Sequence, residues 1–132
     1  MPARILIVED EMLVALELQS ILIDLGYETL GIAPDLATAR RYFDEDIDLA
    51  LVDLNLRDGL TGPQIGATLG SSGVTVLFVT ANPRLLGNGI SGAIGVITKP
   101  TDEDMVRTAV AYALAVRSGQ PAKAPPYLRL FG

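Results

Sequence analysis

The stretch Leu6-Ile7-Val8-Glu9-Asp10-Glu11-Met12-Leu13 carries an apolar run straight into three consecutive carboxylates, with an apolar helix beginning behind them. Two ionised carboxylates about 4 Å apart repel by roughly 4 kcal/mol at an effective dielectric near 20. A chain that folds such a cluster against its own core needs positive charge beside it, from solvent, a lysine or a metal ion. Three further polar residues stand, like Glu9-Asp10, at the downstream end of an apolar run. Asp53 follows Leu49-Ala50-Leu51-Val52, Thr80 closes the run from Val74, and Lys99 follows Ala93 to Thr98. Clustered carboxylates in a chain with no histidine and no cysteine suit a hard, oxygen-preferring cation, Mg²⁺ before Zn²⁺. Mg²⁺ keeps several waters and takes phosphate oxygens, and a hydroxyl and an ammonium at the same place suit the remaining oxygens of a phosphoryl group. Two carboxylates would hold the metal while a third attacks phosphorus, giving an acyl phosphate.

Something must bring those strand ends together. Ile5 to Val8, Thr29 to Ala33, Leu49 to Val52, Val74 to Thr80 and Ala93 to Thr98 are short aliphatic runs of the kind buried on both faces of a sheet. Helical spacing separates them. One helix is expected from Met12 to Leu25, stopped by Gly26, with Met12, Leu16 and Ile23 on one side and Val14, Leu18, Ile21 and Leu25 filling in. Another is expected from an Asp35 N-cap to about Phe43, and a modest one over Pro63 to Leu69. The last opens at Thr101 and Asp104 and turns Met105, Val106, Ala109, Val110, Ala113 and Leu114 inward. The segment Asn82 to Gly89 is poor in helix formers, so any helix there should be short or mobile. Strands alternating with helices give an α/β fold, a doubly wound five-stranded parallel sheet with helices on both faces. In such sheets ligands bind beyond the carboxyl ends of the strands, where these polar residues stand.

Composition narrows the function. The 132 residues suit one domain, expected over residues 1–117, with residues 118–132 as a C-terminal tail of linker-like SGQPAKAPP and then Tyr127 to Phe131. That tail could dock on the domain, add a strand to a sheet edge, bind a partner, or stay disordered. A net charge of −6 disfavours nucleic acid and anionic membrane surfaces as partners. Disulfides, thiolate sites and imidazole catalysis are excluded by the absent residue types. The N-terminus has no signal-peptide pattern and no apolar run approaches the ~20 residues of a membrane span, so a cytoplasmic protein is expected.

Asp10, Asp53, Thr80 and Lys99-Pro100, each at the end of a buried strand, together resemble the receiver domain of two-component response regulators over about residues 3 to 117. The resemblance implies a flavodoxin-like fold with sheet order 2-1-3-4-5. It implies that Asp53 is the phosphoacceptor for a sensor histidine kinase. Glu9, Asp10, Asp53 and the backbone carbonyl of Asn55 would hold Mg²⁺, Thr80 and Lys99 would meet the phosphoryl group, and Pro100 would follow a cis peptide bond. Asn82 would tune dephosphorylation. Glu9 stands where Asp is common, Arg57 where proline is frequent, and Val96 where the family usually carries a switch aromatic. The stretches LNLRDGLTG, LFVTANP and VITKP further resemble single-domain alphaproteobacterial receivers paired with HWE/HisKA2-type kinases.

Simpler readings stand beside these. Glu11 reads as an ordinary N-terminal helix acid, Asp58 and Asp102 as capping or solvated acids, Asn82 as a turn residue before Pro83, and Val96 as core. The expected function is a stand-alone phosphoacceptor, monomeric or weakly dimeric, that signals by phosphorylation-dependent protein binding or drains phosphate as a sink. It is a regulatory protein rather than an enzyme, acting catalytically only on its own aspartate. The alternative is a pseudo-receiver, a binding module whose acidic site does not cycle. A nucleotide-binding flavodoxin relative is disfavoured, because acids stand where a phosphate-cradling glycine loop would.

Overall fold

Aliphatic runs without a polar face must be covered on both sides. The computed structural model, which describes residues 2–132, covers them in a six-stranded sheet. The strands are β1 (Arg4–Val8), β2 (Glu28–Ala33), β3 (Leu49–Val52), β4 (Thr75–Thr80), β5 (Ala93–Thr98) and β6 (Arg129–Leu130). Their spatial order is β2-β1-β3-β4-β5-β6, with β1 to β5 all parallel and β6 antiparallel to β5. The expected doubly wound parallel sheet is present, with one more strand than the five read from the sequence. Four helices cover it: α1 (Met12–Asp24), α2 (Leu36–Arg40), α3 (Gly62–Ser71) and α4 (Glu103–Arg117).

Alternation along each strand splits the core in two. Ile5, Ile7, Leu49, Leu51, Leu77, Val79 and Ile97 face α1 and α4. Leu6, Val8, Ala50, Val52, Val76, Phe78 and Val96 face α2 and α3. The face α1 presents differs from the sequence expectation. Ala15, Leu18, Ile21 and Leu22 are buried, whereas Met12, Leu16 and Ile23 are exposed together with Leu13. This helix is apolar nearly all round, so its spacing alone does not single out one inward face.

Two other boundaries shift. α2 ends at Arg40, and Phe43 lies in the turns beyond it while still packing on the core. α4 is capped by Asp102, whose carboxylate accepts from Met105 N at 2.8 Å, rather than opened by Thr101 and Asp104. The 82–89 segment forms a 3₁₀ turn over Pro83–Leu86, as short as its lack of helix formers leads one to expect. Gly62 lets α3 start directly under the end of β3, because a Cβ there would overlap the Asp53 carbonyl oxygen and lie 2.6 Å from Leu54 Cα.

Arg57, standing in place of the frequent proline, ties the loop after β3 to α2. Its Nε donates to Asp35 Oδ2 at 3.1 Å, its Nη2 pairs with the same oxygen, and its backbone N–H donates to Pro34 O at 3.1 Å. Asp35 also accepts from Thr38 N at 2.8 Å as the α2 N-cap. The hydrogen bonds from Thr38, followed by that from Arg57, bring the Asp35 carboxyl down to about 2. An acid whose folded pKa is depressed contributes stability that is present above its unfolded value near 4 and is lost as pH falls through the folded value. Arg57→Ala is therefore expected to move the midpoint of acid unfolding to higher pH, read by far-UV circular dichroism. Coincident acid transitions for variant and wild type would count against a working Asp35–Arg57 pair.

Candidate functional site

Strand register builds the site. Val8 is paired with Val52, so Glu9 and Asp53 leave neighbouring strands side by side. Thr80 is paired with Thr98 at the ends of β4 and β5, and Lys99 N donates to Thr80 O at 2.9 Å. Lys99 lies two strands from Asp53, roughly 10 Å at about 4.8 Å per strand, a gap that its extended side chain crosses.

Lys99 Nζ donates to Glu9 Oε1 at 2.6 Å and to Asp53 Oδ2 at 2.8 Å, and lies 3.6 Å from Glu11 Oε1. The other oxygens are also engaged. Asp53 Oδ1 accepts from Leu54 N at 2.6 Å, and Glu9 Oε2 accepts from Glu11 N at 3.2 Å. Glu9 is 2% exposed, Asp53 7% and Thr80 0%. Burial raises the Glu9 carboxyl to about 7 against the opposing pull of the Lys99 ammonium and the Glu11 N–H, and neighbouring Asp53 adds to the rise. Burial also works to lower the Lys99 ammonium, but its hydrogen bonds to Asp53 and Glu9 outweigh that and hold it above its ordinary value.

Glu9, Asp10 and Asp53 each offer a carboxylate oxygen, and these lie within 4.8 Å of one another. One lysine does not neutralise three such groups. An all-carboxylate donor set with a charge deficit fits Mg²⁺.

The remaining residues named from sequence occupy the strand ends, the loops beyond them and the core behind. The buried Thr80 Oγ accepts from Asn82 N at 3.1 Å, so the hydroxyl already has a partner that can exchange for another acceptor or donor. Asn82 is exposed and begins the 3₁₀ turn. Asn55 is exposed in the loop two residues past Asp53. Lys99-Pro100 is a cis peptide bond. Val96 lies in the core on the α3 side, paired with Phe78 on β4 and Arg129 on β6. Asp58 accepts from Leu36 N at 3.1 Å and from Thr61 Oγ1 at 2.6 Å, a loop-bracing role away from the pocket.

Sequence reasoning missed two contacts. The Glu9–Lys99 pair joins residues 90 apart and has no local signal, although the extra methylene of Glu over Asp is what extends its reach. Glu11, which reads from sequence as an ordinary helix acid, also lies 3.6 Å from the Lys99 ammonium.

A protein-family model described as the response regulator receiver domain matches residues 5–111. The phyllosphere-induced regulator PhyR of Methylorubrum extorquens is 32% identical over 118 residues, covering 86% of this chain and 44% of that protein. This chain thus spans less than half the length of that curated relative. Among solved structures, the PhyR receiver domain of Erythrobacter litoralis is 31% identical with a TM-score of 0.77, covering 94% of this chain and 96% of that one. A CheY-like receiver from Methanospirillum hungatei is 25% identical with a TM-score of 0.79, covering 90% of this chain and 98% of the other.

Proposed function

This chain belongs to the response regulator receiver domain family, and on that premise we propose that it is a switch loaded with a phosphoryl group at Asp53. Receivers take part in two-component signalling between histidine kinases and downstream proteins. Among the described residues, no helix is long and apolar enough to cross a membrane.

The observation that carries the reading is the Lys99 ammonium bridging Glu9 and Asp53 at 2.6 and 2.8 Å, with Asp10 in the same carboxylate cluster. Mg²⁺ held by Glu9, Asp10, Asp53 and the Asn55 carbonyl would supply positive charge for the phosphoryl oxygens. In the transfer, a carboxylate oxygen of Asp53 forms a bond to phosphorus as the P–N bond of the kinase's phosphohistidine breaks, and the departing imidazole nitrogen takes a proton from solvent. Lys99 then gives up its bond to Asp53 for a phosphoryl oxygen, and Thr80 rotates to donate its O–H to another. Hydrolysis reverses the loading: water attacks phosphorus, the P–O bond to Asp53 breaks, and phosphate leaves. Asn82, exposed two residues past Thr80, would tune that water's approach. Val96 leaves the space of the usual aromatic to other side chains.

The chain thus acts on its own aspartate and on no outside substrate. We assign residues 1–117 to the receiver and 118–132 to a tail, place the protein in the cytoplasm as a monomer or weak dimer, and take a kinase of HWE/HisKA2 type as donor. Output is phosphorylation-dependent protein binding or phosphate drainage.

Magnesium titration tests the premise of cycling. Saturable binding by calorimetry is expected, with a rise in thermal midpoint that continues as [Mg²⁺] passes the dissociation constant; stabilisation of about 2.7 kcal/mol corresponds to a hundredfold excess over it. No saturable binding would favour the non-cycling pseudo-receiver, a protein-binding module.

A further inference from the structure

The sixth strand is held chiefly to the parts of the molecule that lie next to the Thr80 switch. Leu130 and Arg129 pair with Gly95 and Val96, and Phe131 N donates to Ile94 O at 3.1 Å. The Arg129 guanidinium donates to Gly87 O at 3.1 Å and to Pro83 O at 3.2 Å. The two carbonyls bracket the 3₁₀ turn that begins at Asn82. The Phe131 ring lies 6.4 Å from the Phe78 ring, two residues before Thr80. It also covers Gly89, where a Cβ would come within 2.5 Å of it, and the Arg129 guanidinium sits 5.4 Å from its centroid. Leu128 is buried on the opposite face of the sheet, with α4. The tail therefore straddles the β5 edge and grips the 83–89 backbone.

We propose that the tail segment Tyr127–Phe131, which carries β6, detaches reversibly and at rest clamps the segment after Thr80, and that loading Asp53 loosens it. The inference rests on the phosphoacceptor reading above. The route is short. Asn82 N–H is bonded to Thr80 Oγ at rest. When the Thr80 side chain rotates to donate its O–H to a phosphoryl oxygen, Oγ moves away from Asn82 N–H, and the turn carrying Pro83 O and Gly87 O moves with it. Arg129 has no other described backbone acceptor, so the clamp and the loaded state compete. Only two residue pairs tie β6 to β5, and residues 118–126, with three prolines, form no helix or strand that would resist its departure. Phe131, packed on Phe78 beside Val96, fills with a ring from the tail the side of β5 where the family usually carries its own aromatic.

Coupling is reciprocal, so a clamp weakened by phosphoryl loading must itself weaken loading. The full-length chain and the full-length variants Arg129→Ala and Phe131→Ala are compared, with beryllofluoride and Mg²⁺ as the phosphoryl mimic. Three results are expected. Both variants bind beryllofluoride roughly tenfold more tightly than wild type, within the usual range for coupled sites. Amide exchange at Leu85 to Gly89 rises in the variants without any mimic. In wild type, exchange at Phe131 N rises when beryllofluoride is added. Equal affinities for wild type and variants, with binding intact, would overturn the clamp alone. Absence of beryllofluoride binding in every protein would overturn the phosphoacceptor reading, and the clamp's coupling with it.

Discussion

Replacing Lys99 with alanine is expected to lower the unfolding free energy by about 3 kcal/mol in the presence of a chelator, the lower end of the cost of breaking a buried charge pair. The ammonium is the one cation within 4 Å of Glu9 and Asp53 among the described residues, and both carboxylates are nearly out of water. Without it, three acids face one another within 4.8 Å. Their mutual repulsion then rests on solvent alone, except where Glu9 takes a proton, which is why the loss falls at the low end of the range. Mg²⁺ is expected to restore much of the lost stability, because it replaces the missing positive charge. The same variant should bind the metal at least as tightly as wild type while losing the structural response to a phosphoryl mimic. Urea unfolding with and without Mg²⁺ measures the first effect. An unfolding free energy equal to wild type in chelator would show that the Lys99 bridge does not hold the pocket together.

Asp53→Asn is expected to abolish phosphoryl loading from both a cognate kinase and acetyl phosphate. The substitution keeps shape and volume, and the amide oxygen can still accept from Leu54 N, so the chain should fold. What it removes is the nucleophilic carboxylate and one of three charged donors around the cation. The neutral amide is a far weaker ligand and nucleophile, so Mg²⁺ affinity should fall at least tenfold alongside the lost adduct. Intact mass spectrometry after incubation with Mg²⁺ and acetyl phosphate reads the adduct directly. An adduct of equal yield in the variant would assign the chemistry to another carboxylate.

Which features were legible follows from how far apart the cooperating residues lie. Each site residue stands where an aliphatic run stops, a local pattern visible without any partner: Asp53 after LALV, Thr80 after VLFV, Lys99 after VIT. The parallel strand order then brings those ends together, so the pocket could be anticipated before its distances were known. The inward face of α1 could not, because Met12, Leu13, Leu16 and Ile23 are as apolar as the Ala15, Leu18, Ile21 and Leu22 that the core takes. Neither could the Arg57–Asp35 pair or the bridge from Lys99 to Glu9, which join residues 22 and 90 apart. β6 was one of several fates open to the tail. A two-residue strand has no periodicity, and its hold comes from Arg129 and Phe131 reaching a turn some 45 residues earlier in the chain, at Pro83, Gly87 and Gly89.

The most direct test of the central claim is where the phosphoryl group goes. Wild-type protein loaded with acetyl phosphate and Mg²⁺ is treated with borohydride, which reduces an acyl phosphate to the alcohol, and is then digested for peptide mass mapping. A reduced residue at position 53 and nowhere else is the predicted result. A loaded protein reduced at Glu9, Asp10 or any other acid, or a protein that binds Mg²⁺ yet takes no phosphoryl group from acetyl phosphate or its kinase, would contradict it.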